Sequence, residues 1–208
     1  HYGVREHAMC GIMNGLALHS KLIPYGGTFL IFSDYCKPSI RLAAMMRQQV
    51  IYVMTHDSVG LGEDGPTHQP IEQLSGLRSI PNLNIFRPAD KLETIECWEL
   101  ALKNFKTPSV LSLTRQNLDP IRNKFTKENK CSSGAYEVLR TNKKINLTIL
   151  ASGSEVNLAI ETSHKLAKEK IYSKVISVPS MELFEAQSRK YRNRILNETK
   201  FKISIEAG

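Results

Sequence analysis

Short apolar segments alternate with segments of helical periodicity along most of this chain, and this alternation constrains the fold more than any other feature. A short continuous apolar run bounded by turn residues is typical of a strand in a parallel sheet that is covered on both faces. Apolar residues at spacings of three and four are typical of a helix. The pattern therefore predicts an α/β fold with parallel sheets.

The alternation also places the individual elements. The predicted strands are 28–32, 49–55, 83–86, 109–113, 135–140, 147–151, 174–178 and 201–205. The predicted helices are 5–19, 38–47, 71–77, 91–105 and 154–170. Pro38 is expected in a first helical turn, where its missing N–H costs nothing. The polar, glycine-rich segment 56–70 is predicted to be a loop.

Composition indicates two domains. Between residues 115 and 133 the apolar content falls, and Asn, Asp, Lys, Pro and Ser take over, which is typical of a linker. We expect a first domain at 1–120, a linker at 121–133 and a second domain at 134–208. Because the second series of strands is short and the chain begins at His1, we expect a partial chain whose second domain is truncated.

Composition and charge exclude several classes of protein. The chain has 208 residues, 41% of them hydrophobic and 23% charged, which argues against disordered and fibrous proteins. No apolar run approaches the roughly 18 residues that cross a bilayer, so we expect a cytoplasmic protein without a membrane partner. The four cysteines form no CxxC pair, which disfavours a structural zinc site.

Most of the net charge of +8 comes from the second half, where residues 117–208 hold 17 basic and 10 acidic side chains. Few aromatic residues lie among these basic side chains to stack on bases. We interpret the excess as a solvated surface, with nucleic-acid binding as the alternative.

Polar residues follow the predicted strands, at the edge where open parallel sheets bind ligands. The densest group is the segment HDSVGLGEDGPTHQP, which contains His56, Asp57, Glu63, Asp64 and His68. Such side chains bind several divalent metals, but the wide spacing of the two histidines disfavours a metal site. A pocket for a hydroxylated, anionic small molecule and a plain surface loop both remain open.

Glu6 lies in the first turn of the first predicted helix, where the helix dipole favours a carboxylate. Burial would act in the opposite direction and raise the pKa of such a carboxyl, which suits a group that shares a proton with a ligand nitrogen. The alternative is an exposed glutamate or a partner of Arg5. The residues alone do not decide between these.

Phe29, Phe32 and Tyr35 recur at spacings of three after the first predicted strand. They share one pocket only if the backbone turns near Ser33, because neighbouring strand residues point to opposite faces. Otherwise they are ordinary core residues. Arg115 follows the strand 109–113 and either clamps a phosphate or faces solvent.

The chain resembles the transketolase family in motifs that occur in the family's order. These are GVREHAM at 3–9, GGTFLIFSDY at 26–35, THDSVGLGEDGPTHQPIEQL at 55–74, RPAD at 87–90, SLTRQNL at 112–118 and ASGSEV at 151–156. The resemblance implies a parallel-sheet pyrimidine-binding domain of the thiamine-diphosphate class, followed by a partial second α/β domain. It also implies an enzyme of the pentose phosphate pathway that transfers a two-carbon ketol (glycolaldehyde) unit from a ketose phosphate to an aldose phosphate.

The resemblance also implies cofactor contacts. Glu6 matches the catalytic glutamate that hydrogen-bonds the aminopyrimidine ring of thiamine diphosphate. Phe29, Phe32 and Tyr35 match the aromatic pocket for that ring, where stacking contributes about 0.5–1.5 kcal/mol per pair beyond area burial.

Substrate contacts follow from the same resemblance. His68 matches a catalytic histidine near the first hydroxyl of the sugar donor, where it would carry protons. His56 matches a second substrate histidine, Asp64 the carboxylate that reads hydroxyl stereochemistry, and Arg115 the clamp on the substrate phosphate.

Parts of the family pattern are absent from the sequence. The family's N-terminal domain, with the diphosphate-binding GDG motif and the ligands of Mg²⁺ or Ca²⁺, is missing, as is the opening of the pyrimidine-binding domain. We therefore expect half of an active site, no metal ligands in this chain, a homodimeric partner subunit and no activity of the chain alone. The alternatives are a dihydroxyacetone synthase, an enzyme like deoxyxylulose-phosphate synthase, and a non-catalytic nucleic-acid-binding fragment.

Overall fold

The computed structural model describes residues 1–123, 126–141 and 143–207, which divide into two compact units. The first unit comprises residues 1–86 and 98–116, and the second comprises 87–97 and 117–207. Residues 124 and 125 of the predicted linker, and residues 142 and 208 of the predicted second domain, lie outside the described residues. The predicted domain limits at 120 and 134 stay a prediction.

The first unit is built on a parallel sheet in the order β1-β2-β4-β3, so the predicted α/β fold is confirmed. Its strands are β1 Tyr25–Phe29, β2 Ile51–Thr55, β3 Asn84–Phe86 and β4 Ser109–Ser112. Its helices are α1 Glu6–His19, α2 Ser33–Met45, α3 Gln73–Arg78 and the part of α4 (Lys91–Lys103) from Trp98 onward. The predicted loop 56–70 contains two 3-10 turns, Val59–Leu61 and Pro66–His68, and is otherwise irregular.

The predicted strand 28–32 is wrong in its position. The strand runs from Tyr25 to Phe29 and is followed by a 3-10 turn at Leu30–Phe32. Gly26, which precedes the predicted strand, lies within the observed one, and α1 packs directly on it. A Cβ atom on Gly26 would lie 2.8 Å from the sulfur of Met13 and 2.9 Å from that of Met9.

The predicted start of the second helix is also wrong. The helix α2 begins at Ser33, so Pro38 lies inside it rather than in its first turn. Proline has no N–H, and the carbonyl of Asp34 therefore lacks its usual intrahelical donor. The helix tolerates this because Pro38 lies on the exposed side of α2.

The second unit has a mixed sheet in the order β5-β7-β6-β8, with β5 antiparallel to β7 and the other pairs parallel. Its strands are β5 Tyr136–Arg140, β6 Leu147–Ala151, β7 Ser173–Ser177 and β8 Phe201–Ile205. Its helices are α5 Glu155–Lys168, α6 Met181–Glu185, α7 Arg189–Leu196 and the part of α4 up to Cys97. The sequence predicted no element between 178 and 201, because α6 is short and α7 buries Ile195 but is otherwise strongly polar.

Two buried carboxyl groups of α4, those of Glu93 and Glu96, hold the second unit together. The fully buried Glu93 accepts hydrogen bonds from the Ala89 amide at 2.6 Å, the Tyr136 hydroxyl at 2.8 Å and the Ser177 hydroxyl at 2.6 Å. Burial raises the pKa of this carboxyl, and the three donors oppose that rise. The predicted linker packs within the same unit, since the fully buried Cys131 donates its amide to Glu96 at 3.0 Å.

The core of the first unit lies between α1, α2 and the sheet. Its members are buried apolar side chains, among them Met13, Leu30, Ile40 and Tyr52. In the described part of the chain, no helix combines the length and apolar character that crossing a membrane requires.

Candidate active site

The carboxyl ends of three neighbouring strands bring the candidate residues of the first unit to one edge of its sheet. Phe29 is the last residue of β1 and is paired in register with Thr55, the last residue of β2. His56 follows directly. The Leu113 amide, just after β4, donates to the Met54 carbonyl of β2 at 2.8 Å, so Arg115 emerges at the same edge. Ligand sites of open parallel sheets lie at this edge.

Three aromatic rings form a stack that leads away from the end of β1. The ring centroids of Phe29 and Phe32 are 6.0 Å apart with an angle of 13° between the planes. Those of Phe32 and Tyr35 are 5.9 Å apart with an angle of 19°. The 3-10 turn at Leu30–Phe32 makes this possible, because it changes the strand's alternation of faces into a helical spacing of three. The backbone therefore turns directly before Ser33, near the position that a shared pocket requires.

His56 joins this stack. Its imidazole lies over Phe29 with a centroid distance of 3.6 Å and an angle of 21°. Its backbone has a φ of 57°, in the left-handed region that only a few per cent of non-glycine residues adopt. Its Nδ1 lies 3.0 Å from the Thr55 hydroxyl. Backbone, ring contact and hydrogen bond together fix the orientation of this imidazole.

His68 approaches the same rings edge-on. Its centroid lies 6.2 Å from that of Phe29 and 5.3 Å from that of Phe32, with angles of 70° and 79°. The 3-10 turn Pro66–His68 carries it, and its Nδ1 lies 2.9 Å from the Thr67 hydroxyl. The structure therefore brings His56, His68, Phe29 and Phe32 together as one group of half-buried rings.

Glu6 is the first residue of α1 and is half-buried. Its Oε1 accepts a hydrogen bond of 3.4 Å from the Thr28 hydroxyl on β1, one residue before Phe29. Arg5 donates instead to the Tyr2 carbonyl at 3.1 Å, so a hydrogen bond from Thr28, rather than a pairing with Arg5, holds Glu6. The carboxylate thus lies beside the strand that starts the ring stack.

Arg115 and Gln116 lie against the 56–70 loop. A Cβ atom on Gly60 would meet the Gln116 amide nitrogen at 1.8 Å, and one on Gly62 would meet Arg115 Nη1 at 3.1 Å. Glycine at these two positions therefore lets the side chains of 115 and 116 lie on the loop that carries both histidines. Asp64 is exposed.

Sequence reasoning missed the three threonine hydroxyls that hold the site. Thr28 bonds to Glu6, Thr55 to His56 and Thr67 to His68. The signal was present, since a Thr-His pair occurs twice in the loop motif. Among the residues that the structure describes, no three His, Cys, Asp or Glu side chains are grouped so as to hold a metal ion.

The donor set suits a planar nitrogen heterocycle. Phe29, Phe32 and Tyr35 offer parallel ring faces, and aromatic rings stack on one another favourably at such distances. Glu6 offers a carboxylate oxygen for a ring N–H or protonated ring nitrogen. An aminopyrimidine fits this combination of groups.

An open parallel sheet that gathers aromatic and imidazole rings at the ends of its strands defines a ligand-binding α/β protein. Residues 1–120 match the family described as "Transketolase, pyrimidine binding domain", and residues 134–208 match "Transketolase-like TK C-terminal domain". The chain belongs to the transketolase family.

Individual relatives agree with this assignment. A transketolase of Sinorhizobium medicae is 53% identical over 100% of this chain, and one of Cereibacter sphaeroides is 54% identical over 94% of it. Each match covers 30% of the relative, so the chain spans less than a third of their length.

Solved transketolase structures superpose on this chain. A transketolase from Leishmania mexicana superposes with a TM-score of 0.91 at 47% identity, covering 98% of this chain and 30% of that one. A protein titled "Split gene transketolase, inactive beta4 tetramer" superposes with a TM-score of 0.80 at 23% identity, which shows the fold alone; it covers 98% of this chain and 63% of that one.

Proposed function

We propose that this chain supplies the pyrimidine-binding half of a transketolase active site. The complete enzyme would transfer a two-carbon ketol unit from a ketose phosphate to an aldose phosphate, as a step of the pentose phosphate pathway in the cytoplasm. The observation that carries the proposal is the stack of Phe29, Phe32 and Tyr35 at the sheet edge, together with the hydrogen bond to Glu6 from Thr28, the residue before Phe29.

Thiamine diphosphate would supply the electron sink that stabilises the carbanion of the reaction. In the proposed site Glu6 would accept a hydrogen bond from the aminopyrimidine ring, and the aromatic rings would hold the plane of that ring. Thr28 orients the Glu6 carboxylate through its own hydrogen bond. The diphosphate and its Mg²⁺ or Ca²⁺ would be held by residues outside this chain, in a second subunit of a homodimer.

The substrate would be held by the loop and by the end of β4. His56 and His68 offer imidazoles for sugar hydroxyls, and His68 would carry a proton to or from the reacting carbon's oxygen. Arg115, which lies against Gly62 of the loop, would pair with the substrate phosphate through its planar guanidinium. Asp64, on the exposed part of the loop, would read the stereochemistry of a donor hydroxyl.

The test uses two proteins, this chain alone and a chimera in which it replaces the matching segment of the Sinorhizobium medicae transketolase. We expect the chimera to transfer glycolaldehyde units from xylulose 5-phosphate to ribose 5-phosphate, and we expect no turnover by the isolated chain. In the chimera, Glu6→Gln should lower kcat by about 10²–10⁴-fold, the range for a positioned proton-transfer group.

Glu99→Gln is the matched control, because Glu99 is a half-exposed glutamate of α4 that pairs with Lys103. It should leave kcat of the chimera unchanged. Turnover by the isolated chain, or full activity of the Glu6→Gln chimera, would contradict the proposal. Binding of DNA that weakens steeply with salt would instead support the nucleic-acid alternative.

A further inference from the structure

Two threonine-histidine pairs at the candidate site share one geometry. In each pair the threonine directly precedes the histidine, and its hydroxyl lies at hydrogen-bond distance from the imidazole Nδ1. The distances are 3.0 Å for Thr55 and His56 and 2.9 Å for Thr67 and His68. The two pairs lie on different elements, since Thr55 ends β2 and Thr67 lies within a 3-10 turn. The resemblance to the family assigns neither threonine a role.

A hydroxyl group suits this position because it both donates and accepts. When the imidazole is neutral with its proton on Nε2, the threonine hydroxyl donates a hydrogen bond to Nδ1. When Nδ1 carries a proton, the hydroxyl oxygen accepts a hydrogen bond from the Nδ1–H group. A partner that hydrogen-bonds one ring nitrogen leaves the other nitrogen to face the ligand. In either state the threonine engages Nδ1, which leaves Nε2 for the ligand.

The ring contacts fix the plane of each imidazole. His56 is stacked on Phe29, and its left-handed backbone sets the direction of its side chain. His68 is held edge-on between Phe29 and Phe32. Within the described residues, neither Nε2 atom has a hydrogen-bond partner, whereas both Nδ1 atoms do.

We propose that Thr55 and Thr67 are positioning residues, which occupy Nδ1 of His56 and His68 and so make Nε2 the nitrogen of both rings that exchanges protons and hydrogen bonds with the ligand. The identity of that ligand as a sugar phosphate rests on the proposed function. The ring geometry itself does not.

The experiment measures the imidazole nitrogens of the 208-residue chain by ¹⁵N NMR, with histidine labelled and the pH stepped from 5 to 9. The variants are Thr55→Val and Thr67→Val, which keep the branched shape and remove the hydroxyl. The matched controls are Thr55→Ser and Thr67→Ser, which keep the hydroxyl. The exposed His19 and His164 serve as internal references, because their nitrogens should not respond.

We expect Thr67→Val to shift the Nδ1 resonance of His68 and to change the ratio of its two neutral tautomers, with His56 unaffected. Thr55→Val should do the same to His56 alone. Each serine variant should restore the wild-type Nδ1 resonance. An unchanged Nδ1 resonance and tautomer ratio in the folded valine variants would overturn the proposal, as would serine variants that fail to restore them.

Thr67 is exposed, so Thr67→Val should leave the fold intact. It therefore tests the proposal even if Thr55→Val fails to fold. The test is independent of enzyme activity. A negative NMR result would leave the proposed transketolase role intact, and an inactive chimera would leave the NMR result intact.

Discussion

The carboxylate of Glu198 in the second unit pairs with two basic side chains, and replacing Glu198 with glutamine tests how much these pairings contribute to stability. Its oxygens accept hydrogen bonds from Arg140 at 2.6 and 2.7 Å and from Lys174 Nζ at 3.0 Å. Lys174 is only 1% exposed, and its ammonium also donates to the Ile195 carbonyl at 2.8 Å. Glu198→Gln therefore removes the negative charge that faces a buried ammonium group.

The magnitude follows from the exposure of each partner. Removing one member of a fully buried ion pair costs about 3–5 kcal/mol, and an exposed pair contributes about 0.2–1 kcal/mol. Glu198 is 38% exposed, so water screens its interaction with Lys174, and Arg140 keeps Glu137 as a second partner. We expect Glu198→Gln to lower the free energy of unfolding at pH 7 by about 1–3 kcal/mol, between these limits.

The pH dependence gives the sharper test. Hydrogen bonds from Arg140 and then Lys174 lower the pKa of Glu198 from its ordinary 4.5 to about 2. A carboxyl with a lowered pKa stabilises the fold above its unfolded pKa, and this stabilisation is lost as the pH falls toward the folded pKa. The difference between wild type and Glu198→Gln should therefore be constant from pH 7 to 5 and smaller at pH 3.5.

The assay is urea unfolding of the 208-residue chain, followed by circular dichroism at pH 7, 5 and 3.5. Glu128→Gln is the matched control, because Glu128 pairs with Lys130 and is 73% exposed. This control should change the free energy of unfolding by less than about 1 kcal/mol. A Glu198→Gln effect no larger than that of the control, or one that is the same at pH 7 and 3.5, would refute the reasoning.

Two further predictions concern stability. Gly134 and Gly65 have φ values of 74° and 75°, but a Cβ atom on Gly134 would lie 2.1 Å from the Phe184 amide nitrogen, whereas one on Gly65 meets nothing within 4 Å. Gly65→Ala should cost about 1–2 kcal/mol of unfolding free energy and Gly134→Ala clearly more, and equal effects in thermal unfolding would contradict this. Glu93→Gln leaves one donor of the buried carboxyl unpaired and should destabilise by about 1–3 kcal/mol at pH 5. Because burial raises the folded pKa of Glu93 above its ordinary 4.5, its stabilising contribution is lost as the pH rises from 4.5, so the urea midpoints of wild type and variant should approach each other over that range; midpoints that move further apart would contradict the burial argument.

Much of the fold was predictable because the residues involved act locally or through simple periodicity. The run Ile51–Thr55 is rich in β-branched and aromatic residues, which are enriched in strands, and it forms β2 as predicted. The helix Glu155–Lys168 has apolar residues at helical spacing, and Val156 and Ala159 are fully buried as that spacing requires. The errors fall at the limits of elements, as at Gly26, a residue type common in turns that lies inside β1 and against α1.

Some features of the candidate site were likewise predictable from the sequence, and others were not. The motifs named the residue types, and Glu6, His56 and His68 lie in the elements that the motifs predicted. Their roles stay predictions. The stacking of His56 on Phe29 could not be read from the motifs, since it depends on a turn at Leu30–Phe32 and on a left-handed backbone at His56.

By itself the sequence determined the alternation of strands and helices, and with it the sheet edge at which polar loops gather, because periodicity and turn residues are local properties. The tertiary structure decided where β1 ends and which face each ring presents. These depend on distances between segments far apart in the chain, such as the 3.6 Å between the rings of Phe29 and His56, and packing rather than local preference sets them.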